Sequence, residues 1–133
     1  MNKHEQAAAR IKRACQALST LEELLALSSP SAVERDAAIQ RFEYSFETFW
    51  KAARKYLMEI EGIECGSPKQ VMRGLNQAGI INNTETILAL EMVDDRNKTV
   101  HTYDEGLANE VFNRIKNYGP LMRIVLSRME ERL

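Results

Sequence analysis

One stretch of the chain, residues 94–103, concentrates side chains that can do chemistry, among them Arg96, Asn97, His101 and Tyr103. Arginine is a permanent cation suited to a phosphate group. Histidine has a reference pKa of about 6.5, which suits proton transfer near neutral pH. Together they could cleave RNA without a metal: His101 would take the proton from a 2′-hydroxyl, and Arg96 would stabilise the charge that grows on the phosphate.

The spacing of these residues on a helix does not place all of them on one face. Arg96 and His101 lie about 140° apart around a continuous α-helix. Asn97 shares a face with His101, and Tyr103 shares a face with Arg96. Either the helix unwinds before His101, or two chains related by a two-fold axis contribute to one cleft. We favour the second solution, which predicts a homodimer.

The same residues also have a purely structural interpretation. His101 would cap a helix end, and Tyr103 would be a core residue with an exposed hydroxyl. Arg96 would pair with Asp94 or Glu91. Spacing alone favours this interpretation, because an arginine and a histidine five positions apart occur by chance in many helical proteins.

The composition fits a single helical domain over residues 1–133. Apolar residues make up 44% and charged residues 28% of the chain, as in ordinary globular proteins. Six glycines and three prolines are too few for a many-stranded sheet. A formal charge of −1 excludes a generally basic nucleic-acid-binding protein, so an RNA contact would need a local patch. We expect an all-α protein, an antiparallel up-and-down bundle of five to six helices.

The sequence offers no metal or cofactor site. Its two cysteines, Cys15 and Cys65, lack C-x-x-C spacing, and it has only two histidines. No apolar run approaches the ~20 residues that cross a bilayer, and the N-terminal residues are charged where a signal peptide has an apolar core. We expect a cytoplasmic protein with reduced cysteines and no membrane contact.

Apolar periodicity and capping residues predict the first two helices. The first spans about Asn2–Leu27 and ends before Pro30, because the residue before a proline avoids helical dihedrals. Ser31 and Glu34 form a capping-box pattern for a second helix, about Ala32–Ile60. Six of the nine aromatic residues lie in this helix between positions 42 and 56, so it should anchor the core. Its polar side carries three cations, which usually face solvent but could face phosphates, namely Lys51, Arg54 and Lys55.

The second half of the chain predicts three or four further helices. The third is Pro68–Ala78, and the fourth opens at Asn82 with apolar residues around most of its circumference, which predicts that it is largely buried. Thr102 and Glu105 form a capping-box pattern for the fifth. The dipeptide at 119–120, glycine then proline, should interrupt it and start a last helix.

The chain resembles the HEPN family, and within it the small proteins described as nucleotidyltransferase substrate-binding proteins. The resemblance spans roughly Ile39–Met129. It rests on the order and spacing of four motifs: Arg41–Glu47 leading to Trp50-Lys51, Ser67-Pro68, Ala78–Ile81, and Asp95-Arg96-Asn97 through His101–Asp104. The resemblance implies an antiparallel bundle that dimerises, encoded beside a minimal nucleotidyltransferase as in a toxin–antitoxin pair.

The resemblance also implies roles for individual residues. The family's RNase pattern is an arginine, a polar residue and a histidine four to six positions after the arginine, and Arg96, Asn97 and His101 match it. They would be the catalytic residues of a metal-independent endoribonuclease, with Asn97 orienting His101 or the phosphate. Tyr103 would accept AMP from the nucleotidyltransferase, which silences its partner in related pairs. The alternative is a non-catalytic subunit that presents substrate to the nucleotidyltransferase.

Overall fold

The computed structural model describes residues 2–133; Met1, the first residue of the predicted domain, lies outside them. The described residues form five α-helices, two short helical turns and no strand. The helices are α1 (Lys3–Leu25), α2 (Ala32–Tyr56), α3 (Pro68–Gln77), α4 (Asn83–Lys98) and α5 (Glu105–Glu131). A π-helical turn, Leu57–Glu61, follows α2, and a 3₁₀ turn, Thr99–His101, follows α4. The predicted all-α bundle of five to six helices is confirmed.

The three long helices form the main bundle, and α3 and α4 pack together beside it. Arg35 near the start of α2 donates a hydrogen bond to Asn109 near the start of α5 at 2.9 Å, so these two helices run parallel. Glu22 of α1 pairs with Arg123 of α5 at 2.6 Å, whereas Leu25, further along α1, lies against Gly119, which comes earlier on α5; α1 is therefore antiparallel to α5 and to α2. Within residues 2–133, no helix combines the length and apolar composition needed to cross a bilayer.

The aromatic stripe of α2 occupies the centre of the core, as predicted. Phe42, Phe46 and Phe49 are almost completely buried. The Phe42 ring stacks on Tyr118 of α5, with the two centroids 5.8 Å apart. Aromatic rings contribute large buried areas, so this contact ties α2 to α5.

The predicted interruption at Gly119 and Pro120 is wrong, because α5 continues through both residues to Glu131. Pro120 has no amide hydrogen to donate to the carbonyl of Lys116. Both residues are exposed, so that carbonyl can bind water. Gly119 is buried against α1: a Cβ there would lie 2.9 Å from Leu25 Cδ1. The glycine therefore allows the close approach of two helices.

Two local predictions about α4 and α5 also need correction. The cap of α5 is Asp104, whose side chain accepts a hydrogen bond from the Leu107 backbone nitrogen at 3.1 Å. Thr102 instead donates its hydroxyl to the Thr99 carbonyl at 2.9 Å. The fourth helix is buried on one side only, since Ile87 is 69% exposed. Apolar composition did not distinguish the core side of α4 from its outer side.

Candidate functional site

The predicted site residues lie where α4 passes into α5, in a segment that we call the junction (residues 96–104). The α-helix ends at Lys98 and tightens into the 3₁₀ turn Thr99–His101, so the chain stays helical up to His101 and does not unwind before it. Thr99 is buried and holds this turn. Its hydroxyl donates to the Arg96 carbonyl at 2.7 Å and accepts from Arg96 Nη1 at 3.1 Å.

A buried carboxylate next to the junction, that of Asp95, holds α4 to α5. Asp95 is 1% exposed and accepts two hydrogen bonds from Arg114, from Nε at 2.6 Å and from Nη2 at 2.9 Å. The buried hydroxyl of Tyr118 donates a third, short hydrogen bond to it. Arg114 and Tyr118 are one turn apart on α5, so this cluster fixes the end of α4 to α5. Sequence reasoning assigned no role to the cluster.

The charges of this cluster are set by their contacts. Burial acts to raise the pKa of Asp95, but the hydrogen bonds from Arg114 and Tyr118 outweigh it and hold that pKa below its ordinary value. Burial and the adjacent carboxylate raise the pKa of Tyr118, so its phenol keeps its proton and remains a donor. Asp95 is thus a charged, fully bonded group with a positioning role.

Arg96 lies half-buried beside this cluster. Within residues 2–133 it forms no ion pair, and its buried Nε has no hydrogen-bond partner. The structural interpretation, in which Arg96 pairs with Asp94 or Glu91, is therefore wrong. Asp94 pairs with Lys69 of α3 instead, at 2.8 Å. The Arg96 charge has no acidic partner in the described chain.

His101 and Tyr103 are both exposed on the outer surface of the junction. Tyr103 is 86% exposed, so the interpretation of Tyr103 as a core residue is also wrong. Their rings meet edge-on, with centroids 6.1 Å apart and planes inclined at 75°. Asn97 is exposed nearby on the last turn of α4. The structure therefore brings His101 and Tyr103 together.

The helix geometry of the junction separates Arg96 from His101 around the axis within one chain. Three 3₁₀ steps of about 120° replace α-helical steps of about 100°, which carries His101 to about 160° from Arg96 around the axis. No hydrogen bond joins the two side chains in the part of the chain described. The prediction that Arg96 and Tyr103 share a face assumed a continuous helix, but α4 ends at Lys98, before Tyr103.

The described residues include no group of three or more His, Cys, Asp or Glu side chains placed to hold a metal ion. Both cysteines are free, and burial raises the pKa of each thiol. The chemistry that the junction itself can offer is that of a guanidinium, an imidazole and a phenol.

The described residues thus form an all-α bundle with an exposed polar junction between its last two helices. Residues 9–131 match the family described as "Nucleotidyltransferase substrate binding protein like", and the chain belongs to that family. No curated protein matches it significantly. A crystal structure of a protein from Thermus thermophilus is similar, with 56% sequence identity and a TM-score of 0.85 over 87% of this chain and 98% of that chain. The prediction of a nucleotidyltransferase substrate-binding protein is confirmed at the level of this family, while the HEPN and toxin–antitoxin assignments stay predictions.

Proposed function

We propose that this chain is the HEPN-type partner of a minimal nucleotidyltransferase, and that Tyr103 accepts an AMP group from it. The observation that supports this most directly is the 86% exposure of Tyr103, because an acceptor phenol must enter the active site of another protein. The Tyr103 oxygen would attack the α-phosphorus of ATP bound by the nucleotidyltransferase, and pyrophosphate would leave. The phenolic proton would pass to a neighbouring base, for which His101 is the candidate on this chain.

We also infer that the unmodified protein cleaves RNA as the toxin of a toxin–antitoxin pair. His101 would take the 2′-hydroxyl proton, and the 2′-oxygen would attack the adjacent phosphorus. The 5′-oxygen would leave and take up a proton from solvent, and a 2′,3′-cyclic phosphate would remain. Arg96, which has no acidic partner among residues 2–133, would stabilise the charge on the phosphate, and Asn97 would orient His101 or the phosphate.

This mechanism requires a homodimer, because Arg96 and His101 of one chain lie on different sides of the helix axis. A two-fold axis at the junction would place Arg96 of one protomer beside His101 of the other. AMP on Tyr103 would add negative charge and bulk against the His101 ring. Modification would therefore block entry of the RNA phosphate.

Cleavage of RNA in the presence of EDTA tests the catalytic proposal. The wild-type protein should yield 2′,3′-cyclic phosphate ends, and His101→Ala should abolish them. His4→Ala is the matched control, since His4 is the other histidine and is exposed at the start of α1. Undiminished cleavage by His101→Ala would remove His101 from the mechanism.

Co-expression with the adjacent nucleotidyltransferase tests the acceptor proposal. Intact-mass measurement should show one AMP on the wild-type chain and none on Tyr103→Phe. Tyr44→Phe is a suitable control because Tyr44 is also partly exposed, on α2. An AMP that persists on the Tyr103→Phe chain would assign the modification to another residue.

A second candidate function is a non-catalytic subunit that presents substrate to the nucleotidyltransferase. The separation of Arg96 from His101 within one chain favours this candidate, as does the description of the family. It predicts a stable mixed complex, no RNA cleavage, and normal growth when the chain is expressed alone. Growth assays with and without the nucleotidyltransferase separate the two candidates, since only a toxin inhibits growth when its partner is missing.

A further inference from the structure

A groove between α1 and α2, far from the junction, is lined by basic side chains. We call it the basic groove and define it by Arg10 and Arg13 of α1 and Lys51, Arg54 and Lys55 of α2. The two helices are antiparallel neighbours, and both contribute cations to the groove. The wider part of the groove encloses about 340 Å³ and is open to solvent.

Three arginines of the basic groove have no acidic partner in the described chain. Six of the eleven arginines form ion pairs among residues 2–133, and these are Arg35, Arg41, Arg114, Arg123, Arg128 and Arg132. Arg10, Arg13 and Arg54 form none within that range, and all three are exposed. Their guanidinium groups are therefore available to an external anion.

The two lysines of the basic groove are partly neutralised by acidic neighbours. Lys51 pairs with Glu47 at 3.7 Å and Lys55 with Glu59 at 3.1 Å, and Glu64 lies where the groove widens. Five cations and three acids give this region a formal charge of +2. The remaining thirteen cations and sixteen acids carry −3 of the total of −1. The basic groove is thus locally positive on a chain whose formal charge is −1.

We propose that the basic groove binds the phosphate backbone of single-stranded RNA. The proposal rests on the proposed function for its choice of RNA as the polyanion. Arginine matches phosphate in charge and geometry, and cations three residues apart on a helix are spaced by about 4.5 Å, so one strand can contact several of them.

The chemistry of the lining favours a backbone over the two other occupants. No aromatic side chain is among the residues that line the groove, so bases have no stacking surface and a nucleotide has no base pocket. Protein interfaces are usually anchored by buried aromatic and apolar side chains, whereas Met58 is the one large exposed apolar residue here. Contacts to phosphates alone remain, and these are insensitive to sequence.

The basic groove is separate from the junction. Arg35, at the start of α2, contacts the start of α5 next to the junction. Arg54 lies nineteen residues further along α2, which corresponds to about 28 Å. Substitutions in the groove therefore leave the side chains of the junction in place.

Fluorescence anisotropy with a labelled 2′-O-methyl oligouridylate tests the proposal, because this probe cannot be cleaved. Three phosphate contacts predict a slope of log K against log[KCl] of about −2.1, or about 20-fold weaker binding between about 50 and about 200 mM KCl. The double variant Arg10→Gln/Arg54→Gln keeps one contact, so its slope should be about −0.7. Its affinity should decrease only about threefold over the same range of KCl concentration.

The matched control is Arg73→Gln/Lys116→Gln, which removes two charges outside the groove and should keep the wild-type slope. Arg10 and Arg54 make no hydrogen bond in the described chain, so circular dichroism should show a folded variant. A second pair, Arg13→Gln/Lys51→Gln, removes one of the three unpaired arginines and a lysine that is paired with Glu47, so its slope should change to about −1.4. An unchanged slope in both groove variants, an equal change in the control, or no binding by the wild type would overturn the proposal.

Two further measurements keep this proposal distinct from the proposed function. His101→Ala should bind the probe as the wild type does, so loss of cleavage with intact binding counts against the junction mechanism alone. If the groove variants lose affinity for the nucleotidyltransferase and keep their affinity for the probe, the groove is a protein-docking surface and the RNA proposal is wrong.

Discussion

The carboxylate of Asp95 can be tested directly as the anchor of the junction. Asp95→Asn keeps the size of the side chain and removes its charge, which leaves the Arg114 guanidinium without its counter-ion. Removing one partner of a buried ion pair costs about 3–5 kcal/mol. The Arg114 side chain is 32% exposed and can regain some hydration, so the expected loss in the free energy of unfolding is about 3 kcal/mol.

Urea unfolding followed by circular dichroism measures this loss. A change of about 3 kcal/mol should lower the midpoint by about 2 M, if the slope is about 1.5 kcal/mol per molar urea. The neighbouring residue supplies the control: Asp94 is 52% exposed and pairs with Lys69 at the surface, so Asp94→Asn should cost less than about 1 kcal/mol. The anchoring role is refuted if the two variants lose the same stability.

Hydrogen exchange gives a second measure of the same anchor. The amides of residues 99–104 should lose protection in Asp95→Asn and keep it in Asp94→Asn, because the Asp95 carboxylate holds the junction to α5. Asp95 is buried, so in the proposed cleavage and modification it would act only through the position of the junction side chains.

Three further outcomes follow from named contacts. The pKa of Asp95 lies below its ordinary value of 3.8 in the folded chain. The unfolded chain therefore binds the Asp95 proton more readily than the folded chain does. The stability that the Asp95 carboxylate contributes above pH 3.8 is lost as the pH falls through the folded pKa. The difference in unfolding free energy between wild type and Asp95→Asn should therefore shrink in acid. Tyr118→Phe removes one buried hydrogen bond to a charged group and should cost about 2 kcal/mol in urea unfolding. Gly74→Ala would place a Cβ 2.9 Å from both Leu57 Cδ1 and Cys65 Sγ. Overpacking should cost about 1–3 kcal/mol and helix propensity should return about 1 kcal/mol, so the free energy of unfolding should fall, and a lower thermal midpoint would show it.

Features determined by neighbouring residues were predictable from the sequence. The capping box of Ser31 and Glu34 is present with both hydrogen bonds, and Asn82 caps α4 in the same way. Gly79 adopts a φ of 75° at the end of α3, as expected for a helix-terminating glycine. Each of these interactions joins residues a few positions apart, so no knowledge of the tertiary structure is needed to find them.

The errors concern residues whose role depends on distant partners. Gly119 and Pro120 predict an interruption of the last helix. The sequence does not reveal that Leu25 packs against Gly119, which is why a glycine is needed there. Thr102 fits a capping pattern as well as Asp104 does, and the 3₁₀ turn decides between them by engaging the threonine hydroxyl.

The sequence by itself determined the helical class, most helix boundaries, the family and the identity of the junction residues, because periodicity, caps and motif spacing are local properties of the chain. Only the tertiary structure decided that Tyr103 is exposed, that Arg96 has no acidic partner in the described chain, and that Asp95 is the anchor. The physical reason is distance along the chain: Asp95 meets Arg114 and Tyr118 across nineteen and twenty-three positions, and only the packing of α4 on α5 brings these groups into contact.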